Sequence, residues 1–208
     1  MAKETSINKV ILTSEYLAPV SSIWFYYHGT QIMIESKENY QKKSTRNRAR
    51  IIGPNGIETL SVPLQKGKTG TLITEVEISY ESNWPEKHLQ AIKTAYGNSP
   101  YYEHYIDELA AIIDSKPKLL FDLNRQLTDY LLQKMNIEVD IGQTQEFQSS
   151  YPADIVDLRR SKINQESTGG FLAKRYQQVF EERHGFVGNV SAIDLLMCKG
   201  PESLLSLL

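Results

Sequence analysis

The 208-residue sequence predicts a mixed α/β fold. Three observations carry that prediction. A strand–helix–strand pattern fills the first 36 residues, a hairpin signal centres on Gly53-Pro54-Asn55-Gly56, and helical periodicity runs from Asn83 to Met135. Read together they give a βαβ start, a β-hairpin and a helical second half packed on a mixed sheet.

The elements follow in order. Lys9–Thr13 is short, apolar and β-branched, which suits a buried strand. Pro19 opens a helix-compatible run that Gly29 stops, and Gln31–Ser36 is a second strand. A strand, a helix and a strand over this length make a right-handed crossover between parallel neighbours. Two β-rich runs then flank the Gly-Pro-Asn-Gly turn. Side chains alternate along a strand, so Arg46, Arg48 and Arg50 share one face while Asn47, Ala49 and Ile51 take the other. Thr71–Tyr80 reads as a further strand with Leu72, Thr74, Val76 and Ile78 on one side.

From Asn83 the period becomes helical. Asn83 and Glu86 form a capping box, and Pro85 fits a first turn. The first of these helices ends near Tyr96, before Gly97-Asn98-Ser99-Pro100. "YYEHYIDELAAII" and "PKLLFDLNRQLTDYLLQKM" supply two more, and Ile137–Ile141 returns to the sheet. The stretch from Gln143 to Gly170 is polar and irregular, and is read as a mobile loop within a single domain spanning residues 1–208. Helices over Phe171–Arg183 and from Ser191 close the chain.

Charge narrows the function. Lys42, Lys43, Arg46, Arg48 and Arg50 fall within nine residues, yet the chain carries a formal net charge of −2. Outside that run 18 basic residues face all 25 acidic ones. An acidic body with one basic patch argues against nucleic acid, whose binding needs a broad basic face. A specific small anion suits the patch better, since arginine forks hold phosphate or carboxylate through paired hydrogen bonds. A charged edge strand is the plainer alternative. One cysteine, Cys198, rules out an intrachain disulfide and a Cys-rich zinc site. The histidines His28, His104 and His184 lack partners at ligand spacing, so no metal is expected, and no cofactor is indicated. No run reaches the ~20 apolar residues that cross a bilayer, and no signal-peptide pattern opens the chain. The expectation is a cytoplasmic protein without a transmembrane segment.

Several blocks, taken in order, resemble one family. They are "YQKKSTRNRARIIGPNGIETLSVPL", "NWPEKHLQAIKTAYGNSPYYEHY", "FDLNRQL" and "YQQVFEERHGFVGNVSAIDLLMCKG". The set, including Trp84-x-x-Lys87-His88, Ala95-Tyr96 and Asn189-Val190-Ser191, is similar to the WbqC-like family in its Bacteroidetes form. One departure is visible. Many members carry Gln-Pro-x-Tyr-Leu-Pro after the first strand, where this chain has Ser14-Glu15-Tyr16-Leu17-Ala18-Pro19. The resemblance implies a role in bacterial O-antigen or other surface-polysaccharide assembly. The implied activity is transfer of an acyl or aminoacyl group, glycine for example, to a nucleotide-linked or lipid-linked sugar. The alternative is a non-catalytic protein that binds a nucleotide sugar or assembles the pathway.

Site residues are assigned on that basis. Trp84, His88, Ile92 and Tyr96 are spaced by four and share a helix face. His88 is the expected general base, because imidazole titrates near neutrality. Arg46, Arg48 and Arg50 are the expected anion contacts, with Tyr16, Trp84 and Tyr96 lining the substrate. Tyr16 and Glu15 follow the first strand, and ligands of open α/β sheets bind beyond the carboxyl ends of strands. Asp157 and Arg159 border the polar loop and read as a solvated charge run, or as groups that close over an anion. Ser191 and Asp194 read as a helix capping box rather than a catalytic pair. Cys198 reads as an inert core thiol.

Overall fold

A computed structural model describes residues 7–65, 70–160, 167–168 and 171–208. The expected crossover is present. β1 (Ile7–Leu12), α1 (Val20–His28) and β2 (Gly29–Ile34) form it, and β1 pairs parallel with β2, Val10 opposite Ile32. The helix passes directly into β2 at Gly29. A Cβ there would lie 2.4 Å from Ile32 Cδ1 and 2.8 Å from the Phe25 carbonyl oxygen, so only glycine fits the junction.

Two short strands complete the sheet. β5 (Ile141–Gln143) adds to β2 and β6 (Ile155–Asp157) adds to β1, both parallel, giving the order β5-β2-β1-β6. Val10, Ile11 and Ile32 in its centre are fully buried. The hairpin is separate: β3 (Arg48–Gly53) and β4 (Gly56–Ser61) pair antiparallel, with Gly53 opposite Gly56 across the turn. β7 (Ser167–Thr168) and β8 (Phe171–Leu172) make a third, minimal sheet.

The helices are α2 (Trp84–Tyr96), α3 (Tyr102–Asp114), α4 (Leu120–Lys134), the single turn α5 (Glu181–His184) and α6 (Ala192–Lys199). Their apolar stripes are buried at helical spacing: Ile92 and Tyr96 in α2, Leu109 and Ile113 in α3, and Leu120, Leu123, Leu127 and Leu131 in α4. Each such leucine removed from water contributes about 1.5–3 kcal/mol. One continuous cluster of buried side chains joins these stripes to β1, β2 and α1.

The sequence expectations differ from this fold at five places. Thr71–Tyr80 is no strand. Ile73–Glu75 is a 3-10 turn, and only isolated bridges join Leu64 to Ile78 and Glu77 to Leu119. Its alternating apolar residues instead dock under α4, where the Leu120 N–H donates to the Val76 carbonyl. The return to the sheet after α4 falls at Ile141–Gln143 rather than at Ile137. The polar stretch contains β6, and its residues 161–166 and 169–170 lie outside the described residues. Residues 173–180 are not helical. Tyr176 and Gln178 are buried while Arg175 and Gln177 are exposed, an extended alternation that turns every second side chain toward Asp194. At α2, Asn83 bonds the Glu86 carboxylate instead of capping the backbone.

Candidate functional site

Strand order positions the site. The chain runs β1, β2, β5 in one direction and then places β6 on the other side of β1. Such a reversal opens a crevice beyond the carboxyl ends of the strands. Four segments meet at that edge: Thr13-Ser14-Glu15 after β1, Glu35-Ser36 after β2, Thr144 after β5 and Leu158-Arg159 after β6.

One side of the edge is closed by ion pairs. Arg159, 4 % exposed, donates from Nη1 to Glu35 Oε2 (3.0 Å), from Nε to Asp157 Oδ1 (2.8 Å) and from Nη2 to Asp157 Oδ2 (2.6 Å). Its guanidinium also lies 4.7 Å from the centre of the Tyr151 ring. Burial alone would raise the Asp157 carboxyl, but the hydrogen bonds and charge of Arg159 hold it below its ordinary value. Glu35 takes a further bond from the Thr144 hydroxyl (2.6 Å). Beside it Arg46 is fully buried and grips Glu38 with two donors, one of them Nε at 2.9 Å, while Thr13 bonds the same carboxylate. Arg159 is therefore no solvated charge, and Arg46 does not share the face of Arg48 and Arg50. The strand begins at Arg48, and Arg46 precedes it.

The other side is open. A narrow cleft of ≈ 20 Å³ lies between the β1–α1 turn and α4, and Ser14, Glu15, Tyr26, Asn124, Arg125 and Thr128 contribute to its lining. Glu15 is 8 % exposed, and burial pushes its carboxyl above the ordinary glutamate value. The hydroxyls of Ser22 and Thr45 and the charge of Arg46 pull the other way without restoring it. Asn124 is 1 % exposed. Its Nδ2 donates to Ser14 Oγ (3.0 Å) and to the Arg46 carbonyl (2.8 Å), but its Oδ1 has no partner among the described residues. A buried acceptor left unpaired costs about 1–3 kcal/mol unless something donates to it.

Arg48 and Arg50 stand on one face of β3, as alternation requires, with Ala49 and Ile51 buried on the opposite face, toward α2. With Leu17, Thr45, Asn189 and Ser191 they line a narrow groove of ≈ 10 Å³. Arg48 Nε is buried there without a partner among the described residues. Leu17 and Asn189 both have positive φ, 44° and 52°, a conformation that costs non-glycine residues about 1–3 kcal/mol each. The strain is held by Ser21 N–H to Asn189 Oδ1 (2.9 Å), Ser191 N–H to the Arg50 carbonyl (2.8 Å) and Ala192 N–H to the Ala18 carbonyl (2.8 Å). Thr45 connects the two openings, since it lines this groove and its hydroxyl lies beside Glu15.

Tyr16, Trp84 and His88 are brought together. The Tyr16 hydroxyl lies 2.9 Å from His88 Nδ1, and the Trp84 ring meets both, edge-on to Tyr16 at 6.3 Å. Burial lowers the His88 pKa to about 4, and the Ser61 carbonyl only partly offsets it. The imidazole is thus neutral near pH 7. The Ser61 carbonyl calls for an N–H on the ring, which leaves Nδ1 to accept from Tyr16. Tyr96 is apart from this trio. It lies buried near Asp194, and its hydroxyl accepts from the Ile52 N–H at 3.5 Å. Ser191 caps α6 by accepting from the Ile193 N–H (3.4 Å). Asp194 does not complete a capping box: it is buried, its Oδ1 accepts from Tyr176 (2.7 Å) and Gln178 (2.9 Å), and burial raises its carboxyl. Burial likewise pushes the Cys198 thiol up, which keeps it unreactive.

Sequence reasoning missed Asn124, Glu35 and Glu38. Asn124 left a signal, a polar residue four positions after Leu120 on the apolar stripe of its helix. The described residues contain no cluster able to hold a metal, and no helix is long and apolar enough to cross a membrane.

The profile of the WbqC-like protein family matches residues 29–166, about two thirds of the chain. The chain belongs to the WbqC-like protein family. The match takes in the hairpin arginines, His88, Asn124 and Arg159, while the β1–α1 turn precedes it. The family member also resembles a protein of Mycobacterium tuberculosis (strain ATCC 25618 / H37Rv) described as uncharacterized protein Rv1507c. The two are 24 % identical over 198 residues, covering 83 % of this chain and 85 % of the relative. No solved structure matches.

Proposed function

We propose that this WbqC-like protein is a group-transfer enzyme of bacterial surface-polysaccharide assembly, moving an acyl or aminoacyl group onto a sugar-linked acceptor at the carboxyl edge of its parallel sheet. The observation that carries the reading is Glu15. It is a buried carboxyl raised above its ordinary value by burial, on the turn after the central strand, lining a cleft. Acids and bases work best when their pKa approaches the working pH.

In this reading the anionic part of the donor or acceptor lies against Arg48 and Arg50, and the unpaired Arg48 Nε gains an acceptor. The nucleophile, an amine or hydroxyl, attacks the acyl carbon. The Glu15 carboxylate takes its proton as the new bond forms and returns it to the leaving group as the old bond breaks. Where the nucleophile is an amine, Asn124 Oδ1 accepts its second hydrogen and orients it. Tyr16 and His88 act from behind. Their hydrogen bond fixes the residue next to Glu15, which makes His88 a positioning residue in place of the base. Trp84 holds that pair, and Tyr96 supports the Ile52 backbone of β3.

A thermal-shift screen over nucleotide sugars, acyl-coenzyme A species and aminoacyl adenylate analogues tests binding first, because a ligand of the folded state raises Tm. With the ligand in hand, Arg48→Ala loses the shift, Glu15→Gln keeps it and loses turnover, and His88→Ala loses only part. Full turnover in Glu15→Gln contradicts the proposal. Binding with no turnover in the native protein favours the binding-only reading, which needs Arg48 but no acid.

A further inference from the structure

A further cavity lies away from that edge. It opens between the α2–α3 turn, the extended segment before α5 and the end of α6, and it encloses ≈ 410 Å³. Small-molecule pockets span roughly 300–1,000 Å³. We propose that this cavity binds an uncharged ring with an apolar face and both donors and acceptors on its edge, the chemistry shared by a nucleobase and a pyranose. The proposal does not depend on the function assigned to Glu15.

Three observations support it. First, none of the lining residues is charged, although 23 % of the chain is. The wall therefore offers nothing to select a phosphate or carboxylate, in contrast to the groove of Arg48 and Arg50. Second, the inner wall is fixed. Gln178 spends its whole amide, donating from Nε2 to the Val187 carbonyl (3.1 Å) and to Asp194 Oδ1 (2.9 Å) while Oε1 accepts from the Val187 N–H (2.9 Å). Asp194 is held in turn by Tyr176. A preformed wall spares a ligand the entropy of ordering it. Third, the rim is uncommitted. Asn98 and Gln177 are exposed, and neither spends its side-chain amide on another described residue. An amide presents a donor beside an acceptor, which matches the paired edge groups of a base or neighbouring hydroxyls of a sugar. Between rim and wall, Phe180, Pro100 and Cys198 supply the apolar face on which a ring lies.

Saturation-transfer NMR and calorimetry on the full chain decide the matter. One arm uses adenosine and uridine, the other methyl glucoside and N-acetylglucosamine, each titrated to about 10 mM. Binding in the first arm alone identifies a base, and in the second alone a sugar. Phe180→Ala is expected to weaken the ligand roughly tenfold, as loss of a stacking face does. The exposed pair Asn98→Ala/Gln177→Ala weakens it by a comparable factor without a folding penalty. Glu15→Gln and Arg48→Ala leave it unchanged, so failure here is separable from failure at the sheet edge. The proposal is overturned if no probe binds, if both rim and Phe180 variants bind as the native protein does, or if Arg48→Ala abolishes binding.

Discussion

Two acidic neighbourhoods lie on one sheet edge and have opposite fates. Glu35, Glu38 and Asp157 each meet an arginine, and every guanidinium donor that reaches them is used within hydrogen-bond distance. Glu15, buried like Glu35 and Glu38 while Asp157 is exposed, has hydroxyls and a cleft beside it instead of a contacting cation. The first arrangement ties β1, β2, β6 and the segment before β3 together. The second holds a carboxyl above its ordinary value through burial. The contrast separates charge that holds the fold from charge available for chemistry, although both kinds come from the same few turns.

Breaking the closed side gives the largest effect. Arg159→Ala leaves the buried Glu35 without its cation and is expected to cost about 3–5 kcal/mol in denaturant unfolding, as removal of one partner from a buried pair does. A loss below about 1 kcal/mol would mean that solvent already screens the cluster.

The open side responds differently. Glu15→Gln keeps the shape and removes the ionisable group, so turnover falls roughly 100-fold or more while the fold is retained. The pH dependence has a definite sign. The folded carboxyl holds its proton to higher pH than the unfolded one, so its contribution is full below the unfolded value and is lost as pH rises through the raised folded value. The native protein therefore loses stability over that window relative to Glu15→Gln, which shows no such slope.

His88 supplies the reverse case. Its folded pKa is lowered to about 4, below the ordinary 6.5, so the folded state binds fewer protons than the unfolded chain between those values. Stability is full above pH 6.5 and drains as pH falls toward 4, by on the order of 3 kcal/mol. His88→Gln is expected to flatten that acid limb. A limb unchanged by the substitution would show that the imidazole is solvated. The smallest effect belongs to Arg125, which lines the open cleft but pairs with Asp129 one helical turn on, at 2.9 Å and largely exposed. Arg125→Ala should alter stability by no more than about 0.5 kcal/mol.

Much of the frame was legible because it rests on local patterns. Pro19 and Gly29 bracket the crossover helix, Gly53-Pro54-Asn55-Gly56 turns the hairpin, and leucines at spacing three and four place α4. Elements held only by distant partners were hidden. β6 is three residues long and exists because β1 offers an edge, while Thr71–Tyr80 alternates like a strand but finds the foot of α4 instead of a sheet. The site was half legible for the same reason. Alternation paired Arg48 with Arg50, yet it could not place Arg46, whose partner Glu38 is fixed by the path of the loop between β2 and β3. The pairing of Glu35 with Arg159 spans 124 residues and has no local signature. Tyr16 and His88, 72 residues apart, meet only because α2 packs against β3.

The difference between the two sides of the edge reduces to the titration of one group. Carboxyl-carbon NMR of glutamate-labelled protein, recorded from acid to neutral pH and assigned through Glu15→Gln, follows it directly. The account predicts a resonance that titrates above the ordinary glutamate range and vanishes in the variant. A Glu15 resonance titrating at or below that range would contradict it.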